Sequence, residues 1–270
     1  MIALRRKRYA ACESILYPRP HLAYAPLSPV HGLRGISTSM CKTLRCHQKE
    51  FLLKFTKDRQ RWRNWLFEAK KRYGLCVLNY VVTSNHIHLL VHDRGKGEIA
   101  QSMQLIAGRT AQEYNQRKRR KGAYWEDRYH ATAVDTDEYL ARCMVYIDLN
   151  MVRAGVVKHP ADWDTCGFRE IQAPPERYAI IDQQKLLGLL GMTEFYQVQD
   201  LHRHWVEAAL ASGEIQRDAA WTQSIAIGGS DFVQGVKAGL GFKAQYRDIA
   251  EASDAHVLRE PDEIYLPFNQ

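Results

Sequence analysis

The 270 residues can bury a full core, and with 46% hydrophobic and 25% charged residues and no apolar run approaching about 18 residues they describe a globular, non-membrane protein. The basic start, Met1 to Lys7, is followed by no apolar segment, so no signal peptide is expected. Six cysteines (Cys12, Cys41, Cys46, Cys76, Cys143, Cys166) form no Cys-x-x-Cys pair, which argues against a disulfide framework or zinc ribbon and for reduced thiols in a cytoplasmic protein.

The formal net charge of +8 is unevenly placed. Residues 181–270 hold 7 Lys and Arg against 13 Asp and Glu, a net of −6, which leaves 31 against 17, or +14, for residues 1–180. A field of that sign attracts polyanions, nucleic acid first. A merely soluble basic surface is the plainer alternative.

In chain order, residues 1–33 carry four of the nine prolines (Pro18, Pro20, Pro26, Pro29) behind an Arg-rich start, the composition of an extended or poorly ordered basic arm. Residues 34–46 show only the weak pattern of a first strand. From Gln48 to Tyr73, Phe51, Leu52, Phe55, Trp62, Trp65, Leu66 and Ala69 recur at helical spacing, and Gly74 supplies a stop. The opposite face, with Lys54, Lys57, Arg59, Arg61, Arg63 and Lys70, reads most simply as solvated, with phosphate contact as the second reading. Leu75–Thr83 reads as a strand joined through Ser84-Asn85 to a second strand in a hairpin. A second helix from about Glu98 puts Ile99, Met103, Ile106, Thr110 and Tyr114 on one stripe. It runs out in Arg117, Lys118, Arg119, Arg120 and Lys121, either a solvated end or a phosphate clamp.

An aromatic segment, Tyr124 to Tyr129, leads into a short strand around His130 to Val134. Asp135 and Glu138 then form a capping-box-like start for a third helix ending near Gly155. Leu140, Met144, Ile147 and Met151 make its apolar stripe, while Tyr139, Arg142, Cys143, Tyr146 and Asn150 fall on an adjoining face. Ala173-Pro174-Pro175 looks like a linker. Beyond it, residues 181–270 are acidic and mostly helical by pattern.

The run Val81 to Val91 sets two histidines one residue apart among β-branched and apolar residues. In a strand, His86, His88 and Leu90 share one face, with Ile87, Leu89 and Val91 on the other, so two imidazoles can be offered to one ion. For a lone His-x-His a polar sheet face is the better reading. The element order, strand, helix, strand, strand, helix, strand, helix, is that of a ferredoxin-like α+β domain with an antiparallel sheet over residues 34–172, carrying the C-terminal region as an appendage.

Three motifs together carry a family likeness. Thr83-Ser84-Asn85-His86-Ile87-His88-Leu89-Leu90-Val91, then Trp125-Glu126-x-Arg128-Tyr129, then Tyr146-Ile147-Asp148-Leu149-Asn150-Met151-Val152-Arg153-Ala154-Gly155 resemble the single-tyrosine HUH transposases, and among them the REP-associated tyrosine transposases and their chromosomal relatives. The likeness spans about residues 48–172. It implies a metal-dependent single-stranded DNA endonuclease and strand transferase that works through a covalent phosphotyrosine intermediate. His86, His88 and Asn150 would bind a divalent cation, Mg²⁺ or Mn²⁺, and Tyr146 would be the nucleophile. The i, i+4 spacing of Tyr146 and Asn150 agrees, since it places phenol and amide on one helix face. Arg109, Arg117, Lys118, Arg119, Arg120, Lys121, Arg128 and Arg153 are the candidate DNA contacts, with Arg142 or Arg153 near enough in sequence to Tyr146 to favour a phenolate. The expected partner is single-stranded or hairpin DNA, a homodimer is a further candidate assembly, and no membrane is involved. Where the family usually has Asn-Pro-Val-Arg, this chain has Asn150-Met151-Val152-Arg153. A catalytically silent DNA- or RNA-binding regulator is the alternative, and a zinc hydrolase ranks below both because Asn150 is a poor zinc ligand.

Overall fold

The structure, a computed structural model, describes residues 38–136, 138–213, 215–252 and 255–260, so the expected basic arm over residues 1–33 lies outside the described residues. The first elements are β1 (Ser39–Arg45), α1 (Thr56–Tyr73), β2 (Cys76–Val82), β3 (His86–His92), α2 (Glu98–Lys118), β4 (His130–Val134) and α3 (Glu138–Asp148). The four strands lie in the order β2-β3-β1-β4 and pair antiparallel throughout, the ferredoxin-like α+β arrangement. The weakly patterned first strand is the centre of this sheet. Hydrogen-bonded on both edges and buried along nearly its whole length, β1 has no solvated face to impose a polar alternation.

The β2–β3 hairpin closes through Ser84-Asn85, with the Thr83 N–H donating to the His86 carbonyl at 2.9 Å. Helices α1 and α2 pack on each other, and α2 buries Ile99, Met103, Ile106 and Thr110. Helix α1 starts later than its apolar pattern indicates. Residues 47–49 form a 3-10 turn, Phe51 and Phe55 are 66% and 58% exposed, and Leu52 and Leu53 point inward instead. The Leu53 N–H donates to the Ser84 carbonyl at 2.9 Å, which ties this segment to the hairpin and takes it out of any helix. Arg59, expected on the solvated face, is buried. Its guanidinium donates to the carbonyls of Leu53 and Lys54 and to the hydroxyls of Thr56 and Thr165, and it lies 4.4 Å over the Trp163 ring. A buried charge with that many acceptors is a structural clasp. Gly74 ends α1 in the left-handed region at φ 72°, its N–H capping Lys70.

The third helix is interrupted. Leu149 (ψ 3°) separates α3 from α4 (Asn150–Arg153), while Leu149 N–H to Val145 and Arg153 N–H to Leu149 carry the hydrogen-bonded path across the break.

The C-terminal part is mostly helical, as its pattern indicates: α5 (Gly167–Gln172), α6 (Gln183–Leu189), α7 (Phe195–Ser212), α8 (Ala220–Gln223) and α9 (Ser230–Leu240). It also supplies strands that the pattern does not show, β5 (Ala226–Gly228), β6 (Asp248–Ala252) and β7 (Ala255–Arg259). They extend the sheet to β2-β3-β1-β4-β5-β7-β6, with β5 parallel to β4 through Ala133–Ala226 and Val134–Ile227. Val198, Val206, Trp221, Ile227 and Leu258 are buried in the same core cluster as Leu90 and Ile147. The C-terminal region thus extends the sheet through β5 and contributes to the same buried cluster.

Candidate active site

The β1–β3 register sets Thr43 opposite His88 and Arg45 opposite His86, so the four side chains share one sheet face. The two imidazole rings stand edge to face with centroids 5.0 Å apart. His86 Nδ1 lies 2.8 Å from Asn85 Oδ1 and 3.0 Å from Thr83 Oγ1; His88 Nδ1 lies 3.1 Å from Thr43 Oγ1. An amide oxygen only accepts, so Nδ1 of His86 carries the hydrogen and Nε2 keeps its lone pair. The same tautomer at His88, with the Thr43 hydroxyl accepting, leaves its Nε2 equally available. Burial, and after it Arg45, holds His86 down at about 4. Burial and the neighbouring His86 hold His88 well below its ordinary value. Both rings are neutral at neutral pH, the form that ligates cations.

Helix α3 passes over this face. The Tyr146 ring stands 5.7 Å from that of His88 and 6.1 Å from that of Trp221. One turn on, Asn150 opens α4, almost buried, and lines the same cavity as His86. Arg153 lies 4.2 Å over the Tyr146 ring and donates to the Tyr146 carbonyl. Burial pushes the Tyr146 phenol above its ordinary value, and Arg153 pulls it back toward the phenolate. Arg142, the other candidate for that role, instead lies 5.9 Å over Tyr139.

The helix is held from behind by a buried polar network. Asp148, with no exposed side-chain surface, accepts from Asn79 Nδ2 at 3.0 Å and pairs with His202 Nε2 at 2.7 Å. His202 Nδ1 in turn meets Gln172 Nε2 at 3.2 Å. Strand β2, helix α5 and helix α7 thus fix the rotation of α3, which decides where Tyr146 points.

One cavity of about 660 Å³ collects His86, His88, Tyr146 and Asn150, the residues singled out from the sequence, together with Arg153. It also takes in Thr43, Arg45, Lys49 and Arg217, which were not singled out. Thr43 and Arg45 alternate on β1 and follow from the register once that strand is placed. Arg217 comes from the acidic C-terminal region, and no local signal connects it to the histidines.

The basic run at the end of α2 lies outside this cavity and is divided in its partners. Arg117 is paired with the buried Asp58 carboxylate, and Arg120 binds Glu50 at 3.0 Å and the Ala123 carbonyl at 2.7 Å. Arg109 lies 5.6 Å over Trp65 and Lys118 5.5 Å over Phe55. Lys118, Arg119, Lys121 and Arg128 are exposed. The run adjoins the segment that carries Lys49 into the cavity, since the His47 N–H donates to the Tyr124 carbonyl at 2.9 Å.

Among the described residues no group of three or more His, Cys, Asp or Glu could hold a metal, and the candidate donors gathered in this cavity are two imidazoles and an amide. The five described cysteines are buried and unpaired, with burial pushing Cys46 and Cys166 up to about 12 and Cys76 up to about 11. Such thiols are poor nucleophiles. Among the described residues no helix is long and apolar enough to cross a membrane.

Residues 39–150 match the family model described as IS200-like transposase. A solved REP-associated tyrosine transposase bound to a REP hairpin is similar at 20% identity over 52% of this chain and 82% of that one, with a TM-score of 0.44. A candidate transposase from Deinococcus radiodurans is similar at 14% identity over 40% of this chain and 88% of that one, with a TM-score of 0.31. No curated protein matches.

Proposed function

We propose, from the premise that residues 39–150 are a domain of the IS200-like transposase family, that this chain cuts and joins single-stranded DNA through a tyrosine–phosphate intermediate. The observation that carries the reading is the single cavity holding His86, His88, Asn150 and Tyr146. Nε2 of each histidine and the Asn150 amide oxygen would hold Mg²⁺ or Mn²⁺. The set is short of carboxylates for these hard cations, and phosphate oxygens of the DNA would have to complete it. When bound, the cation polarises the scissile phosphate and stabilises charge developing on it.

The chain's own residues do the rest. Tyr146 Oη attacks phosphorus, losing its proton as the O–P bond forms, and the departing 3′ oxygen leaves as a hydroxyl after taking up a proton. The strand then remains joined to Tyr146 through its 5′ phosphate. Arg153, stacked on the ring, favours the anionic phenolate, and Arg45, Lys49 and Arg217 attract the strand's other phosphates.

Incubation with short hairpin-bearing single-stranded DNAs and Mn²⁺, followed by a denaturing gel, should show a protein-linked strand. Tyr146→Phe should abolish that product while hairpin affinity stays within about twofold. His86→Ala and His88→Ala should abolish it as well and weaken Mn²⁺ binding in a direct titration. Wild-type protein that binds the hairpin but forms no adduct would establish the silent regulator instead; an adduct persisting in Tyr146→Phe would move the nucleophile elsewhere.

A further inference from the structure

A second cavity, of about 740 Å³, shares Tyr146, Arg153 and Gln216 with the first but reaches neither His86 nor His88. Its far walls come from α7 and α8, beyond the residues that match the family model. Two indoles, Trp205 and Trp221, line it together with the aliphatic Val145 and Leu149; Arg142 and Arg153 are its cations. Trp221 is buried and lies at a 32° tilt to the Tyr146 ring, whereas Trp205 is only half-buried.

We propose that this cavity binds the nucleotide adjoining the scissile phosphate, with its base against Trp205. The inference rests on the reading of Tyr146 as the point of attack. A strand whose phosphate meets Tyr146 in the first cavity has its next nucleotide at the wall the two cavities share. The chemistry of the second cavity matches that occupant. Aromatic and aliphatic walls take a planar base, which stacks on indole whatever its sequence. Arg153, on the wall the two cavities share, would meet the attached phosphate there, while Arg142 lines the second cavity alone, together with its carboxylates. Glu138 and Asp218 also line the cavity, and their carboxylates disfavour a phosphate inside while accepting from base N–H groups. The volume lies in the range of sites that take a whole small ligand.

The test uses the full chain and two single-stranded probes, a 20-nucleotide oligothymidine and an oligomer of equal length whose sugars lack bases. Trp205→Ala should weaken binding of the first about tenfold and of the second less than twofold, and Trp205→Phe should restore most of the loss. Equal losses on both probes, or none on either, would overturn the proposal, because electrostatic or folding defects do not distinguish bases from their absence. The adduct assay separates this idea from its premise. Adduct formation without probe discrimination removes the base site alone, and discrimination without an adduct removes the cleavage reading while leaving the base site in place.

Discussion

At Lys42, in the central strand, the chain buries a cation whose Nζ has no hydrogen-bond partner and lies 4.8 Å from the centre of the Tyr129 ring. Burial pushes its ammonium down to about 7. An unfolded lysine titrates near about 10.4, so between those values the unfolded chain holds a proton that the folded chain lacks, and stability rises with pH across that window. Below about 7 the penalty is complete and constant. Lys42→Met, of similar length, should therefore stabilise the fold at pH 6 by ~1–4 kcal/mol, with the advantage shrinking as the pH approaches about 10. Urea unfolding of both proteins at pH 6 and 9.5 measures this, and an equal advantage at both values would mean that the lysine is not titrating in the fold. A second expectation at this scale concerns Arg153. Lysine keeps the charge but loses the planar group that stacks on Tyr146, so Arg153→Lys should slow adduct formation about tenfold with DNA affinity nearly unchanged. A parallel loss of affinity would make Arg153 a phosphate contact alone.

Among the elements, α3 is the one whose placement decides the chemistry, and Gly167 is the tightest point behind it. A Cβ there would stand 2.1 Å from Asn79 Oδ1 and 3.0 Å from the Tyr80 backbone nitrogen. Asn79 is the side chain that binds Met144 O and Asp148 on α3. Gly167→Ala should cost ~1–3 kcal/mol by overpacking and lower the adduct rate by more than the lost folded fraction explains. Thermal melts alongside single-turnover assays check both. The end of α2 divides differently from what its five cations in a row indicate. Arg117 holds the buried Asp58, so its removal leaves an uncompensated carboxylate and should destabilise the fold. Arg119 and Lys121 are exposed. Reversing both charges should leave the melting temperature unchanged, weaken binding of all sequences alike, and reduce the salt slope by about 0.7 for each single-strand phosphate that is no longer neutralised.

At the level of the whole molecule, the Pro174-Pro175 stretch marks a change of composition, but the core runs across it. Ending the chain at residue 180 would strip β5 from β4, His202 from Asp148 and Trp221 from Tyr146. We predict that the truncated chain loses its cooperative melt and all adduct formation, in part because Asp148 loses its His202 partner and α3 loses the helix packed behind it. A truncated chain melting within a few degrees of the full one would make the prolines a true domain boundary. The distribution of charge agrees with a shared core. Residues 181–270 are net acidic, yet Arg217 from that part joins the basic cavity.

The sequence by itself determined the strand and helix order of the ferredoxin-like unit, the hairpin at Ser84-Asn85, and the His86, His88, Tyr146 and Asn150 set. The elements and the hairpin rest on short-range periodicity, which a linear chain displays directly, whereas the four-residue set rests on the resemblance of three motifs to a known family, with spacing placing only His86 with His88 and Tyr146 with Asn150 on a common face. Only the tertiary structure decided the position of β1, the inward turn of Arg59, and the joining of β5, Arg217 and Trp221 to the first half. A central strand buried on both faces has no polar alternation to reveal it. A buried arginine depends on acceptors as distant as Thr165, and a three-residue strand such as β5 exists because β4 offers it a free edge.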